Sequence, residues 1–246
     1  MAGALARREI VVPKAPVLAM VNRFSRYKPE EEKAVRKVEV VEDETLKRLK
    51  AAFGELEFNH SSDETEEYYV RAHDTARQLR YSSKDIELFS ITLAGLLDEN
   101  ELELRAGLFL SALINNGKDG SYVIHTNGIL IDDLGYKNTK HITVEGDVGE
   151  CIGWRMERGS ITVNGNVGTF CGGMMDSGVI TVNGDTGGWV GSDMEGGTIT
   201  VKGDAGKLLG GGMKGGEIHI EGEIGHMSDV ILGGKIFHKG KIIVDK

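Results

Sequence analysis

The chain has 246 residues, 38 acidic and 29 basic side chains for a formal net charge of −9, 35 glycines, 3 prolines and 2 cysteines. That length allows one large domain or two smaller ones, and a hydrophobic share of 40% is that of a globular chain. The charge lacks the basic surplus that a phosphate backbone requires, so no nucleic-acid partner is expected. Cys151 and Cys171 are too few and wrongly spaced for a disulfide framework, and no apolar run reaches the ~18 residues of a bilayer span.

Residues 1–42 read as an extended arm. Its apolar stretches, Ile10 to Val12 and Val17 to Val21, suit a segment lying along a surface or a partner. An Arg7-Arg8 pair is present, but Glu9, Pro13, Lys14 and Pro16 interrupt the apolar residues after it, a poor fit to an export signal. A cytoplasmic chain is expected.

Residues 43–120 read as a mainly helical domain or cap. Asp43 to Phe53 places acids before bases, a short-helix signature. Glu64 to Tyr81 carries Tyr69, His73, Ala76 and Leu79 at near-helical spacing. Ile86, Phe89, Leu93 and Leu97, beside Leu88, Ile91 and Leu96, make a helix apolar nearly all round. Glu99, Glu101 and Glu103 then lead into Leu104, Leu108, Phe109 and Ile114, a last helix ending at Asn115-Asn116-Gly117. That helix is expected to cap the neighbouring β-structure near Val123.

Residues 121–246 are repetitive, and 26 of the 35 glycines fall between Ile142 and Lys235. Ile142-Thr-Val-Glu-Gly146, Ile161-Thr-Val-Asn-Gly165, Ile180-Thr-Val-Asn-Gly184 and Ile199-Thr-Val-Lys-Gly203 recur every nineteen residues. Ile218 opens an 18-residue line, Ile236 begins another, and Ile124-His-Thr-Asn-Gly128 reads as a degenerate first copy. Glycine recurs at 149, 168, 187 and 206, at 153, 172, 191 and 210, and at 159, 178, 197 and 216; methionine recurs at 156, 175, 194 and 213. Short β-branched strands returning at this period leave no room for helices, so they predict a coil rising ~4.8 Å per turn. The expected fold is α+β: a helical region followed by a single-stranded right-handed parallel β-helix of about 6–7 turns with 18–19 residues per turn. Alternation points the Ile and Val columns inward and Thr143, Thr162, Thr181 and Thr200 outward. The methionines fill the core, and the glycines turn corners where a Cβ would clash or φ is positive.

The line Ile180-Thr-Val-Asn-Gly-Asp-Thr-Gly-Gly-Trp-Val-Gly-Ser-Asp-Met-Glu-Gly-Gly197 resembles the GXGXG-repeat family, whose members include the C-terminal β-helix domain of glutamate synthase and the C subunit of formylmethanofuran dehydrogenase. The resemblance spans about Ile124 to Lys241. It implies a structural role with no catalytic residue to carry over, and a subunit in a glutamate synthase-like or other oxidoreductase or amidotransferase complex.

Several columns invite sharper readings. Asp147, Asn166, Asp185, Asp204 and Glu223 stand directly after the turn glycine, but one acid per turn is too sparse for a calcium-binding β-roll, so amide-bonding turn residues are expected. The threonine ladder lacks the paired columns of an ice-binding face. Of His125, His141, His219 and His238, all in or beside the strand column, His125 and His219 stand four or more turns apart, ~24 Å by the strand spacing, and His125 and His141 are separated by a turn with no fitting third ligand, so no metal is expected. Cys151 and Cys171 have no neighbouring His or Lys to activate them. The column Glu157, Asp176, Glu195 and Lys214 reads as solvated corner charges; its alternative is a carbohydrate-active enzyme working in an external groove.

Cys151, Phe170, Trp189 and Leu208 are each followed by another apolar residue: Ile152, Cys171, Val190 and Leu209. Adjacent strand residues face opposite ways, so one of these ladders must point outward. Phe170, Trp189 and Leu208 are therefore the candidate partner-binding residues; no catalytic, cofactor-binding or metal-binding residue is expected. The functional expectation is a non-catalytic structural or assembly subunit, or an oligomerising scaffold, with protein partners or further copies of itself. A third reading gives the specific function to residues 1–120 and leaves the coil to oligomerise them.

Overall fold

A computed structural model describes residues 43–57, 64–96 and 102–246; the expected arm at 1–42, together with Leu97, Glu99 and Glu101, lies outside the described residues. Among the described residues, four helices, α1 (Glu44–Glu55), α2 (Glu64–Gln78), α3 (Ser83–Thr92, continued by a 3-10 turn to Leu96) and α4 (Leu102–Asn116), precede the β-structure. Their starts reflect local chemistry. The Asp43 carboxylate accepts the Leu46 N–H at 2.8 Å, and Ser82 and Asp85 form a reciprocal capping box. The most deeply buried helix is α4, where Leu102, Ala106 and Leu108 through Ile114 are all buried. It is the hub of the helical layer, where the rings of Phe53, Phe89 and Phe109 meet with centroids 5.5–5.8 Å apart.

The strands are β1 (Ser121–His125), β2 (His141–Glu145), β3 (Ser160–Asn164), β4 (Val179–Val182), β5 (Thr198–Val201), β6 (Glu217–Ile220), β7 (Lys235–His238) and β8 (Lys241–Asp245). They form one sheet in chain order, parallel from β1 to β7. This is a parallel β-solenoid of about six turns behind a helical region. From β2 to β7 the register is the one the repeat demands, Ile142 to Ile161 to Ile180 to Ile199 to Ile218 to Ile236.

Both ends depart from the repeat. Tyr122, not Ile124, pairs with Ile142, and Ile124 pairs with Val144, so the first copy is offset by two residues from the sequence alignment. At the other end, Lys239 (φ 50°) and Gly240 (φ 75°) make a tight turn of consecutive left-handed residues. That turn folds β8 back antiparallel on β7 instead of continuing the coil. The capping also differs from expectation, because α3 takes the sheet edge. Ser90 Oγ accepts the His125 N–H at 3.0 Å, and Glu87 Oε1 lies 3.4 Å from His125 Nε2. Helix α4 instead covers the loop after β1, where Ser111 Oγ accepts the Gly135 N–H at 2.8 Å and Asn115 donates to the Tyr136 and Lys137 carbonyls.

Inside the coil like stacks on like. The Ile and Val columns of β2 to β6 are buried, and Met156, Met175, Met194 and Met213 are each 0% exposed. A second wall, narrower than a strand, is a ladder of single bridges through Val148, Val167, Thr186, Ala205 and Ile224. Burying such side chains stabilises by roughly 1.5–3 kcal/mol each, and because every turn repeats the arrangement the core is continuous. Gly153, Gly172, Gly191 and Gly210 face into it at φ 64–69°. A Cβ there would press on the Cδ1 of Ile180, Ile199, Ile218 or Ile236, so this column needs glycine for both backbone and space.

Candidate docking surface

Beside that glycine column the chain makes its least expected choice. Cys151, Phe170, Trp189 and Leu208 hold left-handed backbone, φ 58–62°, a region that costs a bulky L-residue on the order of 1 kcal/mol. This conformation turns their side chains outward while Ile152, Cys171, Val190 and Leu209 go into the core, at 0–1% exposure. The outward column begins one turn earlier with Asp133, at φ 53°, a residue type that tolerates the conformation. Asp, Asn or Gly at every turn would relieve the backbone, so the large apolar groups hold these positions at a cost.

The rings are ordered against one another. Phe170 and Trp189 stack with centroids 5.7 Å apart and planes inclined 17°, and Trp154 meets Phe170 edge-on at 6.0 Å. The indoles lie over bare backbone: a Cβ on Gly173 would collide with Trp154, and one on Gly211 would crowd Trp189 at 3.1 Å. Trp189 remains 37% exposed and Met174, next to the rings, is likewise open. The three residues singled out from sequence are thus brought into one outward stripe, Phe170 and Leu208 half-buried and Trp189 exposed. Trp154 and Met174 were missed. Their signal was weak, since each stands once in a column otherwise filled by unlike residues.

One flank of the stripe is a groove of about 470 Å³ lined by Lys137, Arg155, Glu157, Met174, Asp176, Asp193, Glu195 and Lys214. Lys214 Nζ bonds Glu195 Oε1 at 2.8 Å, and this hydrogen bond holds the carboxyl below its usual range. A proton donor to a glycosidic oxygen needs the opposite shift.

At the helical end the stripe runs under α2. Glu66 accepts hydrogen bonds at 2.6 Å from both Tyr136 Oη and Lys137 Nζ, with Arg155 Nη1 at 3.6 Å. Those hydrogen bonds, Lys137's first, lower its pKa. A recess of about 600 Å³ opens there, lined by Thr65, Glu66, Glu67, Asp133, Tyr136, Cys151, Trp154 and Arg155. Burial, then repulsion from Asp132 and Glu150, pushes Asp133 up to about 7. Burial, then Asp133, pushes the Cys151 thiol up to about 12, and burial does the same to Cys171, which makes both poor nucleophiles at neutral pH.

The remaining columns have local partners. Asp147, Asn166, Asp185 and Asp204 each accept the backbone N–H of the same column one turn on, at 2.7–2.9 Å. This is an inter-turn ladder, longer in reach than the within-turn bonding expected. Glu145, Asn164 and Asn183 form a parallel side-chain ladder at 2.8 and 2.6 Å. His141 bonds Ser160 Oγ, His238 bonds the Gly222 carbonyl, and His219 stacks on Phe237 at 4.3 Å. A second exposed apolar group, unforeseen from the sequence, comprises Val230, Leu232, Ile242 and Ile243 on the last turn and β8. Among the described residues no helix is long and apolar enough to cross a membrane.

Comparison with known protein families, curated proteins and solved structures finds no match.

Proposed function

We propose that this chain is a non-catalytic structural or assembly subunit that presents the outward stripe of Phe170, Trp189 and Leu208 to another protein chain. The observation that carries the reading is the left-handed backbone at these positions. It turns stacked aromatic rings toward solvent at sites where Asp, Asn or Gly would be less strained. Rigid aromatics at the centre of a patch are the usual anchors of a protein interface, and a solenoid with its core continuous through every turn offers a stiff support for them. The resemblance of the repeat to the GXGXG family supports a place within an oxidoreductase or amidotransferase assembly, where the chemistry belongs to other polypeptides.

The test compares association of three full-length chains by sedimentation velocity, with the purified chain alone and with its co-expressed partners: wild type, Trp189→Asp and Ile242→Lys. Loss of association in Trp189→Asp alone is expected. Loss confined to Ile242→Lys would move the interface to the open end of the solenoid and remove the stripe from it.

A further inference from the structure

Asp133 is the first member of the outward column and its sole charged one, placed where the stripe passes beneath α2. It is 9% exposed, and it lines the 600 Å³ recess together with the Trp154 and Tyr136 rings. Among the described residues no side chain or backbone amide bonds its carboxyl, because the two nearby cations are engaged elsewhere. Lys137 is 2.6 Å and Arg155 3.6 Å from Glu66. Acidic groups outnumber basic ones here: Asp132 and Glu150 both act on Asp133 and on Cys151, Glu66 and Glu67 line the recess, and its one lining cation, Arg155, faces Glu66. A shielded carboxyl with neither hydrogen-bond donor nor counter-ion is costly, and a cation entering the recess would relieve that cost. The walls suit a cation on an apolar stem, because aromatic faces attract ammonium and guanidinium groups and tolerate methylenes.

We infer that the recess at Asp133, walled by Trp154 and Tyr136, receives an arginine or lysine side chain of the protein segment that lies along the Phe170–Trp189–Leu208 stripe. The inference rests on the docking role proposed above and adds the chemistry of the partner: an apolar stretch flanked by one basic residue. Asp133 supplies the counter-charge, the part-exposed Trp154 ring flanks the stem, and the apolar stripe beyond takes the rest of the segment.

Two measurements test it separately from the docking role. The chain has two tryptophans, so in Trp189→Phe the emission of Trp154 reports on the recess alone. N-acetyl-L-arginine amide titrated into this variant should change the emission saturably, at least tenfold more weakly when Asp133→Asn is added. N-acetyl-L-norleucine amide, with the stem but no charge, should give no saturable change. No saturation with the arginine probe, or an equal response to norleucine, overturns the inference even if Asp133→Asn fails to fold. The second measurement adds saturating arginine probe to the wild-type assembly. Dissociation, abolished by Asp133→Asn, ties the recess to the partner; an assembly indifferent to the probe refutes that tie. If Trp189→Asp leaves association unchanged while the titration behaves as described, the stripe loses its docking role and the recess keeps its selectivity for cations.

Discussion

Replacing Trp189 by Asp separates the stability of the monomer from the strength of its association. The indole is 37% exposed, which leaves roughly 80 Å² open, worth about 2 kcal/mol when a partner covers it, at ~25 cal/mol per Å². That corresponds to about a thirtyfold weaker Kd, and more if the anchor sits at the centre of the interface. The monomer also loses something, because the covered two-thirds of the ring and its stack on Phe170 at 5.7 Å disappear. Those contacts are worth roughly 3–4 kcal/mol. Part of this is offset by about 1 kcal/mol, since aspartate accepts the backbone at φ 62° that strains tryptophan. The variant should therefore melt ~5–10 °C lower yet remain folded at 25 °C, with unchanged far-UV circular dichroism. Sedimentation velocity across a concentration series should show the association constant falling at least thirtyfold. A folded variant that associates as tightly as wild type would refute the reasoning.

The columns of the solenoid set further outcomes. Asp185→Ala strips the acceptor from the Asp204 N–H, now 2.7 Å away, and should cost about 1–3 kcal/mol in urea unfolding. Asp185→Asn, which copies the bond Asn166 already makes at 2.9 Å, should stay within about 0.5 kcal/mol of wild type. Met175→Ala empties a site 0% exposed within the coil and should cost about 2–5 kcal/mol by the same assay. Asp133 is raised on folding from 3.8 to about 7 by burial and its acidic neighbours. The folded state therefore holds the proton more tightly than the unfolded one, and stability falls as pH rises from about 4 to 7. The penalty is complete above 7 and on the order of 4 kcal/mol at most. Asp133→Asn should flatten that slope and raise the melting temperature at pH 8; an unchanged slope would place the titration elsewhere.

The solenoid was legible because its geometry repeats along the chain. When each turn stacks on the last in register, a side chain that suits one turn suits the next, so Ile142 to Ile236 and Met156 to Met213 are columns both in the sequence and in space. Legibility fails where stacking stops being uniform. In the first turn Tyr122 takes the isoleucine place, because that turn also accommodates α4. Gly107 packs there directly against the Asp132 carbonyl, and the spacing changes with it. The reversal at Lys239-Gly240 is written in only two residues. The second wall is filled by Val148, Val167, Thr186 and Ala205, alike in location but not in chemistry, so no column stood out.

The candidate surface was half legible. The paired apolar columns marked the place, although they lie on turns and not on the strand that alternation assumes, and Phe170, Trp189 and Leu208 occupy the outward ladder. Which ladder faced out was decided by left-handed backbone at non-glycine residues, a feature that propensity argues against. The membership of Asp133 was hidden because its neighbours in the column are apolar and its own turn is irregular. The partners of Glu66 lie about seventy residues along the chain, and only packing of α2 on the first turns reveals them.

The most direct measurement of the central claim is hydroxyl-radical footprinting of the full-length chain isolated from its native cells, compared with the same chain purified and diluted to monomer. If the outward stripe is the assembly face, oxidation of Phe170, Trp189 and Leu208 falls several-fold in the native sample while Val230 and Leu232 at the far end react equally in both. Equal oxidation of Trp189 in the two samples would contradict it.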